Sequence, residues 1–178
     1  INLDMLFKGF EDVLKNNTQL MSADKAQQTI QQKLQEYAEN KKRDAKQKSE
    51  AFLAENKKRK EVTTLDNGLQ YEVLQSGDPS GMSPAKEDTV VVDYVGTLID
   101  GTEFDNSVKR GQPATFPLNG VIRGWTEILQ HMHVGDKWKV YIPSELGYGE
   151  RGAGGSIPGN AALIFEINLK EIKKAASK

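Results

Sequence analysis

Cysteine is absent, which excludes thiol catalysis, disulfides and zinc-thiolate sites while saying little about compartment. The only two histidines, His131 and His133, stand two apart and read as residues at a helix end rather than as ligands, so neither a metal nor a cofactor is expected. An excess of one charge is lacking too. The 24 Lys and Arg against 25 Asp and Glu leave a net charge of −1, and no global field argues for nucleic acid. No apolar run approaches the roughly 18 residues needed to cross a bilayer, so no transmembrane segment is expected. A G-x-S-x-G elbow and a Gly-Lys-Ser/Thr phosphate loop are also missing, which removes the serine-hydrolase and P-loop readings. What is present is 178 residues, 37% hydrophobic and 28% charged, suited to one compact domain with an appendage. Because it begins at Ile1, the sequence is expected to be a fragment or processed product, with any targeting signal out of view.

The appendage comes first. Leu3, Leu6, Phe7, Phe10, Val13 and Leu14 form one helical stripe, with Asn2 as a cap and Asn16-Asn17 as a stop. A helix this short must bury that face elsewhere, so residues 1–21 are read as a helical association segment. Asn16-Asn17-Thr18 also matches a glycosylation sequon, a pattern too short to carry weight. Ser22 then caps a long helix running to about Lys60, whose stripe of Ala26, Ile30, Leu34, Tyr37 and Ala38 thins afterwards among charged residues. Residues 22–62 are read as a spacer helix, against the alternatives of a disordered basic linker or a nucleic-acid patch. Up to Val62 there are 13 Lys and Arg against 10 Asp and Glu, a balance of +3 with signs interleaved, which favours a solvated helix.

From Thr63 the hydrophobic period changes from helical to alternating, and residues 63–178 read as the globular domain. Asp66-Asn67-Gly68 is a turn; Leu69 to Gln75 and Thr89 to Ile99 are strands, and Asp100-Gly101 is a hairpin signal before a return strand containing Phe104-Asp105. Ala114 to Leu118 is a short edge strand, since Pro117 cannot donate to a central ladder. Val121, Ile122, Trp125, Ile128, Leu129 and Met132 then fall on one face of a short helix around which the domain is organised. Gly124 in its first turn, beside Trp125, implies that something lies close to the helix start. A Trp that simply fills a core is the plainer alternative. Two clean strands follow, one with Trp138, Val140 and Ile142 on one face and Lys137, Lys139 and Tyr141 on the other, the second with Leu163, Phe165, Ile167 and Leu169 inward. The expected class is α+β, a mainly antiparallel sheet wrapped on one short helix and preceded by a long helical arm.

Between those strands, Gly147 to Gly159 contains a G-x-G-x-x-G pattern. It runs into further Gly and a Pro instead of opening a helix in a βαβ unit, so it reads as a flap over a pocket rather than as a dinucleotide site.

Val92-Asp93-Tyr94, Asp100-Gly101, Phe104-Asp105, Val121-Ile122-Arg123-Gly124-Trp125, Gly147-Tyr148-Gly149 and Leu163-Ile164-Phe165 together resemble the FKBP-type peptidyl-prolyl isomerases, over about Leu65 to Lys173. The long helix ahead of them looks like that of the macrophage infectivity potentiator (Mip) branch. The resemblance implies a half-barrel sheet around the helix and an apolar pocket with Trp125 at its floor, lined by Tyr94, Phe104, Asp105, Val121, Ile122, Tyr148 and Phe165. Arg110 and Ile157 are assigned to substrate binding in the same way. The Ile122 N–H and the Tyr148 hydroxyl are implied as donors to substrate carbonyls, with Asp105 positioning Tyr94 and Arg110. Ala114 stands where many family members place a phenylalanine against the rim. Proline-containing peptides and unfolded proteins are the implied partners, rapamycin and tacrolimus the implied ligands, and a homodimer through the N-terminal helices the implied assembly. The bacterial cell envelope is the implied location, with the cytoplasm as alternative. A non-catalytic peptide-binding chaperone is the rival function. On the division of labour expected, a chain beginning near Thr63 isomerises short peptides about as well as the whole.

Overall fold

The computed structural model describes residues 3–15 and 22–175, which form two compact units, 1–40 and 41–178. Helix α1 spans Leu3–Leu14 and α2 spans Ala23–Asn56. The Asn2 cap, the Asn16-Asn17 stop and the sequon lie outside the described residues. Ser22 does cap α2, its Oγ accepting from the Lys25 N–H at 3.4 Å. Phe7 and Val13 on α1, and Ile30, Leu34 and Tyr37 on the first half of α2, are exposed.

The strands are β1 (Thr63–Thr64), β2 (Gln70–Gln75), β3 (Thr89–Leu98), β4 (Glu103–Asn106), β5 (Ala114–Pro117), β6 (Lys137–Ile142) and β7 (Leu163–Lys173), with α3 (Arg123–Leu129) between β5 and β6. All pair antiparallel, in the order β1-β2-β6-β7-β3-β4. The sheet is not closed into a barrel, in keeping with the half-barrel expected. Central β3 is longer than either partner on its free side. Its first half, Thr89–Val92, pairs β5, and Val95–Thr97 pairs β4, so Gln112 and Pro113 lie between two short edge strands that share one long one.

Inward residues of β3, β6 and β7 (Val90, Val92, Tyr94; Trp138, Val140, Ile142; Leu163, Phe165, Ile167, Leu169) enclose Trp125, Ile128 and Leu129 of α3 and Met132 beyond it. Burial of these side chains, at about 1.5 to 3 kcal/mol each, is what holds α3 to the sheet. The proximity implied by Gly124 is to β6: a Cβ there would sit 2.6 Å from Ile142 Cγ2.

The outer face of β6 is covered at one end. Tyr141, assigned there with two lysines, is only 2% exposed. The end of α2 covers it: Phe52 packs on its ring at 5.9 Å, and Arg59 Nη1 donates to its hydroxyl at 3.0 Å. Asn56 Nδ2 donates to Gln70 Oε1 at 2.9 Å and Gln70 Nε2 to the Leu53 carbonyl at 3.0 Å. The helix stops at Asn56 rather than Lys60, and residues 57–62 turn into β1. Its last half is thus part of the globular unit, with apolar contacts that the polar sequence around it hides.

Candidate active site

A cavity of about 460 Å³ opens between α3, the gap separating β4 from β5, and the loop joining β6 to β7. Alternation on β3 turns Tyr94 inward, β7 does the same for Phe165, and the first turn of α3 brings Trp125 beneath both. Their rings meet edge to face: Trp125 to Tyr94 at 5.1 Å and 90°, Trp125 to Phe165 at 5.2 Å and 80°, Phe104 to Phe165 at 5.5 Å and 85°. Such contacts add roughly 0.5 to 1.5 kcal/mol per pair to the burial itself, so the walls hold one another in place. Trp125 is 4% exposed, and its indole N–H is buried with no hydrogen-bond partner among the described residues. The floor offers apolar surface rather than a polar handle.

Of the residues assigned from sequence, Tyr94, Phe104, Asp105, Val121, Ile122, Trp125, Tyr148, Ile157 and Phe165 all line this cavity. Arg110 does not. It sits behind the wall, its guanidinium 5.5 Å from the centre of the Tyr94 ring and bonded to both Asp105 and the Tyr94 hydroxyl. Ala153, Gly154 and Ser156 line it as part of the flap read from the glycine run, whereas Phe116 and Gly120 were not foreseen. Phe116 had a signal available: on β5 it shares a half-buried face with Ala114, with Thr115 and Pro117 exposed between and beyond them. Its ring stands 5.8 Å from Trp125 at 87°, an aromatic at the rim two residues after the alanine.

The polar groups sort into two sets. Asp105 accepts from the Tyr94 hydroxyl and from Arg110, while Arg110 Nη2 also donates to the Tyr94 oxygen at 3.0 Å. Burial alone would raise the Asp105 carboxyl, but the bonds from Tyr94 and Arg110 outweigh it and hold the group below the usual carboxylate range. Burial, then the Asp105 bond, pushes the Tyr94 hydroxyl up. Tyr94 and Asp105 thus face the cavity already engaged, with Arg110 bonded to both from behind. In contrast, the Ile122 N–H and the hydroxyl of Tyr148, a residue 40% exposed, donate to no acceptor among the described residues. Burial, and then the negative Asp105, raise Tyr148 as well, so it stays a neutral donor at ordinary pH. Chemically the cavity presents an apolar box with two free donors at its edge and, among the described residues, no group of three or more His, Cys, Asp or Glu placed to hold a metal.

The chain is similar to known proteins along almost its whole length. The family model for FKBP-type peptidyl-prolyl cis-trans isomerase matches residues 81–170, and that for the domain amino terminal to it matches residues 1–73. The chain is 56% identical over 128 residues to a peptidyl-prolyl cis-trans isomerase Mip of Coxiella burnetii, covering 72% of this chain and 55% of that protein. It is 42% identical to an outer membrane protein MIP of Legionella longbeachae, covering 99% of this chain and 78% of that one. Among solved structures, FkpA from Escherichia coli superposes with a TM-score of 0.83 at 39% identity, over 99% of this chain and 84% of that one. The chain therefore spans little more than half the length of the Coxiella protein.

Proposed function

The chain belongs to the FKBP-type peptidyl-prolyl cis-trans isomerases, and from that premise we propose that its aromatic cavity accelerates rotation about X-Pro bonds in peptides and unfolded proteins. The observation that carries this reading is the Trp125, Tyr94, Phe165, Phe104 box, closed on the protein side and open to a ligand, with unengaged donors at Ile122 and Tyr148 beside it.

Rotation of an X-Pro amide makes and breaks no covalent bond, which is why the site needs neither a nucleophile nor a metal. The barrier of ~18 to 20 kcal/mol arises from lost conjugation. A twisted amide has given up its charge separation, so a dry apolar floor disfavours the planar ground state relative to it. Donors at the edge hold the flanking carbonyls in register. Shortening a ~100 s event to milliseconds needs about 7 kcal/mol of such preference, spread over the whole box. Asp105, already accepting from Tyr94 and Arg110, keeps that wall in shape and moves no proton.

Rapamycin and tacrolimus are expected to occupy the same floor. Since Trp125 lines the cavity and Trp138 stacks on Tyr71 at 4.5 Å outside it, macrolide binding should change the fluorescence of the parent and of a Trp138 variant, but not of a Trp125 variant. The exposed Phe7 and Val13, with Ile30, Leu34 and Tyr37, support pairing of two copies through the segment ahead of the domain, and the Legionella relative's name supports an envelope location. Sedimentation of the whole chain tests the pairing. The experiment for the main reading is a protease-free isomerisation assay on a proline tetrapeptide with macrolide as competitor. Folded protein that neither accelerates isomerisation nor binds macrolide contradicts it and leaves the peptide-binding chaperone as the function.

A further inference from the structure

The loop that closes the pocket runs from Pro143 to Ala162, and it carries Tyr148, Ala153, Gly154, Ser156 and Ile157 of the lining. Its tip is tied to itself: Ala153 and Ile157 exchange backbone hydrogen bonds of 3.0 Å in both directions, and the Asn160 N–H donates to the Gly149 carbonyl at 2.8 Å. These bonds give the flap a shape and leave open what fixes it in place. The foot of the flap rests on α2. The Ala162 N–H donates to Ser49 Oγ at 2.8 Å in a buried bond, Asn160 Nδ2 reaches the Lys42 carbonyl at 3.4 Å, and a Cβ on Gly159 would lie 3.3 Å from Lys42 Cγ and 2.0 Å from the Glu150 carbonyl oxygen. Positions 42 and 49 are two turns apart on one helix face. Asn160 is the one non-glycine with positive φ among the described residues, at 63°, a conformation held by the bonds on either side of it. Ser49 itself is 5% exposed in a helix whose other polar residues are mostly solvated.

We propose that the second half of α2 is the anchor of the flap, and that Ser49 is a positioning residue setting where Tyr148 and Ile157 stand over the floor. The inference rests on the isomerase reading for its kinetic consequence and on geometry alone for the anchoring. The floor is held by β3, β7 and α3, so loss of the anchor leaves the twisting surface intact. It displaces the wall that meets residues flanking the proline. Selectivity for the residue before proline should therefore change more than the chemistry of rotation does.

The test uses the full chain as Ser49→Ala and Ser49→Thr. Amide exchange is read at Ala162, Ile157 and the centres of β3 and β7, and kcat/KM on two tetrapeptides with Ala or Leu before proline. In Ser49→Ala, exchange at Ala162 and Ile157 is expected to rise about tenfold or more with the strand centres unchanged. The Leu-to-Ala ratio of kcat/KM should move by about threefold. Ser49→Thr, which keeps the hydroxyl, should stay near the parent in both. Unchanged exchange at Ala162 and Ile157 overturns the anchor, as does a rise spread evenly over strands and flap. Changed flap exchange with an unchanged peptide ratio overturns the positioning role. A parent inactive on both peptides overturns the isomerase reading instead, and the exchange comparison then decides the anchor by itself.

Discussion

Trp125, Tyr94 and Phe165 on one side of the pocket and Tyr148 and Ile157 on the other are held in different ways. The first three come from three elements that bury them in one core and lock their rings edge to face. The other two ride on a loop whose order depends on turn bonds, a reciprocal bridge and two contacts to α2. On the proposed function the two sides have different work. A surface that must favour a twisted amide over a planar one has to be dry and unyielding, because a floor that relaxed around either form would favour neither. A wall that meets varied flanking residues and lets them leave is better placed on a loop.

The sharpest way to break that contrast is to remove the floor. Trp125→Ala should cost about 3 to 5 kcal/mol of unfolding free energy by denaturant titration, since the indole is core as well as floor. A loss below about 1 kcal/mol would mean that it is not packed as described. Next in size is shortening the chain to begin at Thr63, which removes Phe52 from Tyr141, Asn56 from Gln70 and Ser49 from Ala162. Relative to a chain beginning at Lys41, it should lose roughly 2 to 4 kcal/mol and melt lower. Equal melting of the two would show that α2 does not support the sheet. Gly124→Ala should then cost about 1 to 3 kcal/mol, because the added methyl overlaps Ile142. On the flap side the effect is smaller and confined to function: Tyr148→Phe should lower kcat/KM about fivefold with melting unchanged, the loss of one hydrogen bond of roughly 1 kcal/mol.

Much of this was legible in the sequence because the determinants are local. Alternation placed β3, β6 and β7 and their inward residues, Asp100-Gly101 marked the hairpin, and a glycine beside Trp125 announced the close approach of Ile142 before any partner was known. The resemblance then gathered residues from five elements into one pocket. Phe116 lies outside the motifs that carry the resemblance, which touches this strand only at Ala114, two residues earlier on the same face. Tyr141 was placed on the same face of β6 as Lys137 and Lys139, and nothing within β6 says that the end of a helix more than eighty residues earlier covers it. Ser49 was hidden for the same reason. A serine in a polar helix looks like any other solvated position, and its bond to Ala162 spans 113 residues. Long-range burial of polar residues by polar segments leaves no periodicity to read.

The claim that the pocket works by shape and dryness, with no proton moved, is tested most directly by the pH dependence of kcat/KM on a proline tetrapeptide between pH 5 and 8. Asp105 has its carboxyl held below the usual range despite the opposing effect of burial, so it remains ionised throughout that window. The stability it contributes is present above the unfolded carboxylate value of about 3.9 and is lost only as pH falls through its lower folded value. Tyr94 and Tyr148 are both raised from the ordinary tyrosine value and stay protonated. The predicted result is acceleration well above the uncatalysed rate with a flat profile. A rate that titrates with an acidic group in this window, and loses that titration in Asp105→Asn, would contradict it and make Asp105 a general acid or base.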